Sequence, residues 1–193
     1  MHWRQSGGIP AVSGALGWGQ PLGTAAQIAW VVADLEAAIE HLIRDLGAGP
    51  FFVIDHFLQP GAQTYRGAVS TADQRIAMGF SGQTWFELIQ PLDDEPSVYR
   101  EVIESCGYGL HHHGIPVLDV EAALKEYQAR GWREVFRSPV PTGGDVVFME
   151  GGHSAAPAFL ELLPVTPGMD AHFTSFWRAA QHWDGKEPIR PFI

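Results

Sequence analysis

Asp34-Leu35-Glu36-Ala37-Ala38-Ile39 returns 85 residues later as Asp119-Val120-Glu121-Ala122-Ala123-Leu124. A second pair follows in the same order: Phe86-Glu87-Leu88-Ile89 and, 74 residues on, Leu160-Glu161-Leu162-Leu163. Self-similarity at a fixed spacing decides architecture before any single residue is read. This spacing is too long for a solenoid, so it predicts two copies of a module of roughly 70–80 residues. In a duplicated chain, corresponding positions can converge on one shared site.

Outward from the first repeat, Gln27 to Val32 reads as a buried strand. Asp34 is the N-cap of a helix running to Leu46, with Leu35, Ile39 and Leu42 at helical spacing and Gly47 and Gly49-Pro50 as the stop. Residues 51–57 read as a strand and 65–69 as a short one. Arg75 to Phe80 and Thr84 to Gln90 flank a hairpin signal at Ser81-Gly82. The order is βαβββ. Ser97 caps a short helix to Cys106. The order then repeats: strand His111–Val117, helix Asp119–Arg130, and strands over 132–137, 145–150 and 158–163. A last amphipathic helix is expected over 170–183. The predicted division is therefore an N-terminal arm (1–24), a first module (25–92), a linker helix (93–107), a second module (108–165), and a C-terminal helix and tail (166–193). The Gly- and Pro-rich arm reads first as a poorly ordered terminus; the alternative is an arm that wraps over the site or a partner, since Trp3, Leu16 and Trp18 are costly to leave in water.

Composition excludes several classes. A net charge of −10 with only 12 basic residues disfavours nucleic acid and anionic membrane as partners. No apolar run approaches the roughly 18 residues of a membrane span. One cysteine, Cys106, precludes an intrachain disulfide. The expected setting is cytoplasmic.

Side chains alternate between the faces of a strand. Ile28, Trp30 and Val32, like His113, Ile115 and Val117, make a bulky face suited to lie under a helix. The opposite face carries Gln27, Ala29 and Val31, and in the second module His112, Gly114 and Pro116: a polar group, then a small one. On the last strand of each module Glu87 shares its face with Trp85 and Ile89, and Glu161 with Phe159 and Leu163. A carboxylate among large apolar groups needs a compensating charge. Two at matching positions suggest a shared one. Taken singly, a strand Glu usually faces water and a His beside Gly is usually structural. Taken jointly, Gln27, Glu87, His112 and Glu161 form a candidate metal set, two per module, with one imidazole and three oxygen donors. That set suits one divalent ion among Zn, Ni, Co, Mn and Fe(II). His153 is expected to lie in a hairpin loop near the last strand, within reach of the site mouth.

QIAWVVADLEAAIEHLIRDLGAGPF, FELIQPL, GYGLHHHGIPVLDVEAAL and FLELL resemble the vicinal oxygen chelate superfamily, which includes glyoxalase I, methylmalonyl-CoA epimerase, extradiol dioxygenases and bleomycin-resistance proteins. The resemblance spans about residues 25–165 and is nearest the glyoxalase I-like and epimerase-like branches. It implies an α+β fold in which two tandem βαβββ modules form a cupped mixed sheet around one metal, here with a C-terminal helical extension. By that resemblance His112 falls at the ligand position of the Gly-Leu-His-His run, His111 precedes the strand, and Gln27 stands where many members have His. The implied activity is a glyoxalase-like isomerase, epimerase or lyase. The metal would stabilise an enediolate while a carboxylate removes the proton next to a substrate carbonyl. Glu161 is the first choice of base and Glu87 the second. Two alternatives remain. One is a metal-free small-molecule binding or resistance protein of the same fold. The other is a non-haem iron dioxygenase, which a set with one His and two acids suits less well. A small-molecule substrate and a homodimer are expected.

Overall fold

The computed structural model describes residues 14–59, 61–151 and 158–192. In chain order the elements are β1 (Gln27–Val31), α1 (Leu35–Leu46), β2 (Phe51–Ile54), β3 (Thr64–Tyr65), β4 (Ala68–Val69), β5 (Gln74–Ser81), β6 (Thr84–Pro91) and α2 (Val98–Cys106). These are followed by β7 (Gly109–Val117), α3 (Val120–Gln128), β8 (Trp132–Pro139), β9 (Asp145–Gly151), β10 (Phe159–Pro164), α4 (Pro167–Gln181) and β11 (Ile189–Pro191). The strands make one curved, unclosed sheet in the order β11-β2-β5-β6-β1-β7-β10-β9-β8-β3-β4. No helix among the described residues is long and apolar enough to cross a membrane.

The repeated hexapeptide does the same work twice. Asp34 accepts a hydrogen bond from Ala37 N and Asp119 one from Ala122 N, each at 2.9 Å, so each Asp satisfies an orphan donor at its helix start. Gly47 then ends α1 at φ 61, a left-handed value that glycine adopts without strain. On the convex side, Leu35, Ile39 and Leu42 of α1 bury against Phe51, Ala77 and Leu88, and Leu124 and Tyr127 of α3 against Ile115, Val147 and Leu162. Each such aliphatic side chain contributes roughly 1.5–3 kcal/mol by leaving water.

Strand register carries the duplication into space. β1 and β6 are parallel, with Gln27 opposite Trp85 and Ala29 opposite Glu87. β7 and β10 are parallel in the equivalent register, with His112 opposite Phe159 and Gly114 opposite Glu161. The halves join where β1 meets β7 antiparallel, Gln27 facing Gly114 and Ala29 facing His112. That reciprocal pairing is the mark of a local twofold at the sheet centre.

Three expectations are corrected. His111 does not precede its strand: β7 begins at Gly109, and His111 is the extra residue at a register shift against Ala29 and Trp30 of β1. Beyond the last helix the tail adds a strand, β11, which pairs in parallel with β2 and extends the sheet. The 65–69 segment is two short strands hinged at Arg66 and Gly67, and β3 pairs with β8 of the second half. The last helix also starts earlier than periodicity suggested, at Pro167, with Thr166 as its cap and proline in the first turn, where a missing N–H costs nothing.

The described part of the arm folds back on its own chain. Trp18 is 2% exposed, edge-on to Phe80 at 5.4 Å and to Trp85 at 6.1 Å. Trp3 and His153 lie outside the described residues. Helix α4 packs into the concave side, with Phe173 against Trp85 (4.1 Å between centroids) and Phe176 stacked on Phe52.

Candidate metal centre

All four residues singled out in the sequence meet on the concave face. Nε2 of His112 lies 3.2 Å from Gln27 Oε1, 3.1 Å from Glu87 Oε2 and 3.0 Å from Glu161 Oε2. The strands set this convergence. Gln27 and Glu87 come from neighbouring strands of one module, His112 and Glu161 from neighbouring strands of the other, and β1 against β7 brings the pairs face to face. Every member is nearly dry: His112 is 0% exposed, Gln27 2%, Glu161 5% and Glu87 8%.

Gly114 makes the convergence sterically possible. A Cβ there would lie 2.9 Å from Gln27 Cβ and 2.8 Å from Leu163 Cδ1, closer than real contacts allow. The small residue expected after the polar one is therefore space reserved for the Gln27 side chain.

One ring nitrogen facing three oxygens is poor hydrogen bonding. A single N–H can serve one or two of them, and Glu161 Oε2, although 3.0 Å from Nε2, has no aligned donor. Leaving a buried carboxylate oxygen unsatisfied is costly. Glu87, His112 and Glu161 present donor atoms that all lie within 4.8 Å of one another. One nitrogen, one amide oxygen and two carboxylates around a common point are a donor set for a borderline or hard divalent ion. The residues present therefore fit such an ion.

The electrostatics agree. Burial pushes the Glu161 carboxyl above its ordinary range, against the opposing pull of His112. For His112, burial alone would depress the imidazole, but Glu161 and Glu87 together raise it to about 9. A positive charge is what this group of oxygens favours at its centre.

The site opens into a cavity of about 60 Å³ lined by Gln27, Glu87 and Glu161 with apolar walls that include Met78, Trp85, Phe148, Leu163 and Phe173. That is room for roughly four or five waters, or the carbonyl end of a small ligand. A larger cleft of about 640 Å³ shares Ile54, Pro141, Thr142 and Phe192 with the inner cavity and leads outward. Trp85 and Phe57 line the inner cavity. Phe159 instead packs on the His111 ring, with centroids 5.2 Å apart.

Two residues at the site escaped the sequence reading. Tyr99, in the helix between the halves, lines the cavity and is 2% exposed, and burial with the two glutamates drives its phenol pKa well up. Its helical spacing from Val98 and Val102 gave no sign of this, because α2 has no counterpart in the repeat. His111 is fully buried, and burial beside His112 holds its pKa well below the ordinary histidine value. The run of three histidines was a signal, but His111 was expected ahead of the strand and outside the site.

Residues 26–148, well over half of the chain, match the Glyoxalase/Bleomycin resistance protein/Dioxygenase superfamily. No curated protein matches. Among solved structures, the methylmalonyl-CoA epimerase of Mycobacterium tuberculosis is similar at TM-score 0.56 and 20% identity, covering 83% of this chain and 96% of its own. A hypothetical protein of Bacillus halodurans C-125 is similar at TM-score 0.55 and 21% identity, covering 74% of this chain and 94% of its own. A Streptomyces coelicolor methylmalonyl-CoA epimerase variant in complex with 2-nitronate-propionyl-CoA follows at 0.53 and 19%, covering 75% and 95%. At such identities the likeness speaks for the fold alone. The family match, the cupped sheet and the doubled register agree: this chain belongs to the glyoxalase/bleomycin resistance protein/dioxygenase superfamily.

Proposed function

We propose that the protein is a metal-dependent isomerase, epimerase or lyase that removes a proton next to the carbonyl of a small, largely apolar substrate. The observation that carries this reading is the pair of buried carboxylates, Glu87 and Glu161, on either side of His112 at the floor of an apolar cavity. Gln27, Glu87, His112 and Glu161 would hold a divalent cation (Zn, Ni, Co, Mn or Fe(II)). Such an ion supplies Lewis-acid polarisation of a substrate carbonyl.

The chain's own groups do the rest. Glu161 is the base: burial raises its proton affinity, and it lines the cavity where a substrate C–H would sit. Glu87, across the imidazole, is the second acid and returns a proton on the opposite side. Trp85, Phe148 and Phe173 hold the apolar body and exclude water, which strengthens every charge interaction inside. The outer cleft leaves room for a larger tail, such as a thioester or glutathione adduct. We further take the working form to be a cytoplasmic homodimer. Exposed Tyr108, Leu110 and Leu118 support an interface, and sedimentation velocity reads the oligomeric state directly.

The test is proton exchange in deuterium oxide, followed by NMR, with protein loaded in turn with Zn(II), Ni(II), Co(II), Mn(II) and Fe(II). The probes are methylmalonyl-CoA, the methylglyoxal–glutathione hemithioacetal and 2-hydroxypropiophenone. Deuterium is expected at the carbon next to the carbonyl of at least one probe. It should require stoichiometric metal and fall at least 100-fold in Glu161→Gln protein. Failure to bind any of the five ions would sink the enzyme reading and leave a metal-free binding protein.

A further inference from the structure

His111 is wholly buried yet stands outside the donor set. It owes its place to the irregularity in β7: Ala29 pairs with His112 and Trp30 with Leu110, so His111 is left without a partner on β1. One extra residue breaks the alternation of faces, and two consecutive imidazoles turn to the same side. Their Nδ1 atoms lie 2.7 Å apart, with the rings at 80°. On its other edge, His111 Nε2 lies 3.2 Å from the carbonyl oxygen of Val98, at the start of α2.

Hydrogen accounting then fixes both rings. A carbonyl can only accept, so His111 Nε2 carries a hydrogen. The rings around His111 are those of Tyr99, Phe148 and Phe159 beside His112, and among the described residues no anion pairs with it, so a second hydrogen would make an uncompensated buried cation. His111 is thus neutral, and its Nδ1 offers a lone pair. The 2.7 Å contact therefore requires the donating hydrogen on His112 Nδ1. That leaves Nε2 of His112 as the nitrogen aimed at the point shared by Gln27, Glu87 and Glu161, where a bound cation would take the place of its hydrogen.

We propose that His111 is a positioning residue: through the chain Val98 carbonyl–His111–His112 it locks the tautomer and ring plane of His112, so that Nε2 is presented as the metal donor. The inference rests on the metal reading above and deepens it. It also gives the bulge and α2 a role. The first turn of α2 is wired to the centre, and the departure from the repeat occurs at the one ligand whose tautomer must be chosen. A neighbour that accepts the second ring hydrogen of a ligating histidine orients the ring and raises its basicity.

The experiment compares His111→Phe, which keeps a ring of similar size but deletes the acceptor, with His111→Asn, whose Oδ1 falls near the lost Nδ1. Zn(II) affinity is measured by chelator competition, the d–d spectrum of Co(II)-loaded protein is recorded, and thermal melts establish that each variant folds. His111→Phe is expected to weaken Zn(II) binding by about 10–100-fold and alter the Co(II) spectrum. His111→Asn should retain most of the affinity. Long-range proton–nitrogen NMR of ¹⁵N-histidine-labelled wild type, recorded without metal, should show His111 with hydrogen on Nε2 and a bare Nδ1. A folded His111→Phe protein with wild-type affinity, or hydrogen on His111 Nδ1, overturns the proposal. The NMR arm needs neither a variant that folds nor a bound ion. If wild type binds no Zn(II), the metal reading fails, while the ring spectrum still decides the tautomer.

Discussion

At the scale of the residue, convergence depends on side chains that make room as much as on those that act. Gly114 lies directly across the sheet from Gln27, whose side chain fills the space a Cβ would need. Gly114→Ala is expected to displace Gln27, to cost about 1–3 kcal/mol by overpacking, and to weaken divalent-ion binding. Urea denaturation and metal titration of the same preparation check both. A loss of stability with unchanged affinity would place the strain on Leu163 instead. The sequence pattern of a polar residue followed by a small one was legible here, because alternation on β1 and the first regular part of β7 is strict. The acids were legible for the same reason, since Glu87 and Glu161 each stand between apolar neighbours on one face. His111 was not, because a bulge is set by how two strands meet, and the extra residue breaks the alternation of faces where it is inserted.

At the scale of the element, the two hexapeptides are equivalent devices and should respond alike. Asp34→Ala and Asp119→Ala each remove one 2.9 Å capping bond and should each lower unfolding free energy by about 1 kcal/mol. A marked inequality, read from chemical denaturation, would mean that the halves do not share the load. Helix α4 has no copy in the repeat. Phe173 is buried between Trp85 and Phe176 on the wall of the inner cavity. Phe173→Ala should cost about 3–5 kcal/mol and widen the cavity, so larger carbonyl compounds should bind more tightly than to wild type. Its amphipathic spacing announced a helix but not its target. An apolar stripe states that a surface will be covered and leaves open which one.

At the scale of the whole molecule, the sheet is held by a strap that runs from one module to the other. The connection between β2 and β5 crosses to pair β3 with β8 at the far side of the sheet. Arg66 fastens it, paired with Glu101 of α2 at 2.6 Å and Glu150 of β9 at 2.7 Å, at a left-handed φ of 47 that is unfavourable for a non-glycine residue. The Arg66 hydrogen bonds hold the Glu150 carboxyl below its ordinary value of 4.5. A folded-state pKa below the unfolded one contributes stability that is present above the unfolded value and lost as pH falls through the folded one. Arg66→Met should therefore be less stable than wild type at neutral pH. The gap should shrink as pH drops below about 4.5, as thermal melts across pH 3–7 would show. An undiminished gap at low pH would assign the loss to packing of the strap.

By itself, the amino-acid sequence determined the doubled βαβββ order, the capped helices, and the four polar residues on one face of the sheet. Each of these follows from periodicity, capping chemistry and repetition, which are local properties. Only the tertiary structure decided that the tail becomes a strand, that α4 fills the concave side, that a strap joins the modules, and that His111 turns inward beside His112. The physical reason is the same in each case. These features depend on which surfaces meet and in what register, and contacts between distant segments leave no period in the chain that forms them.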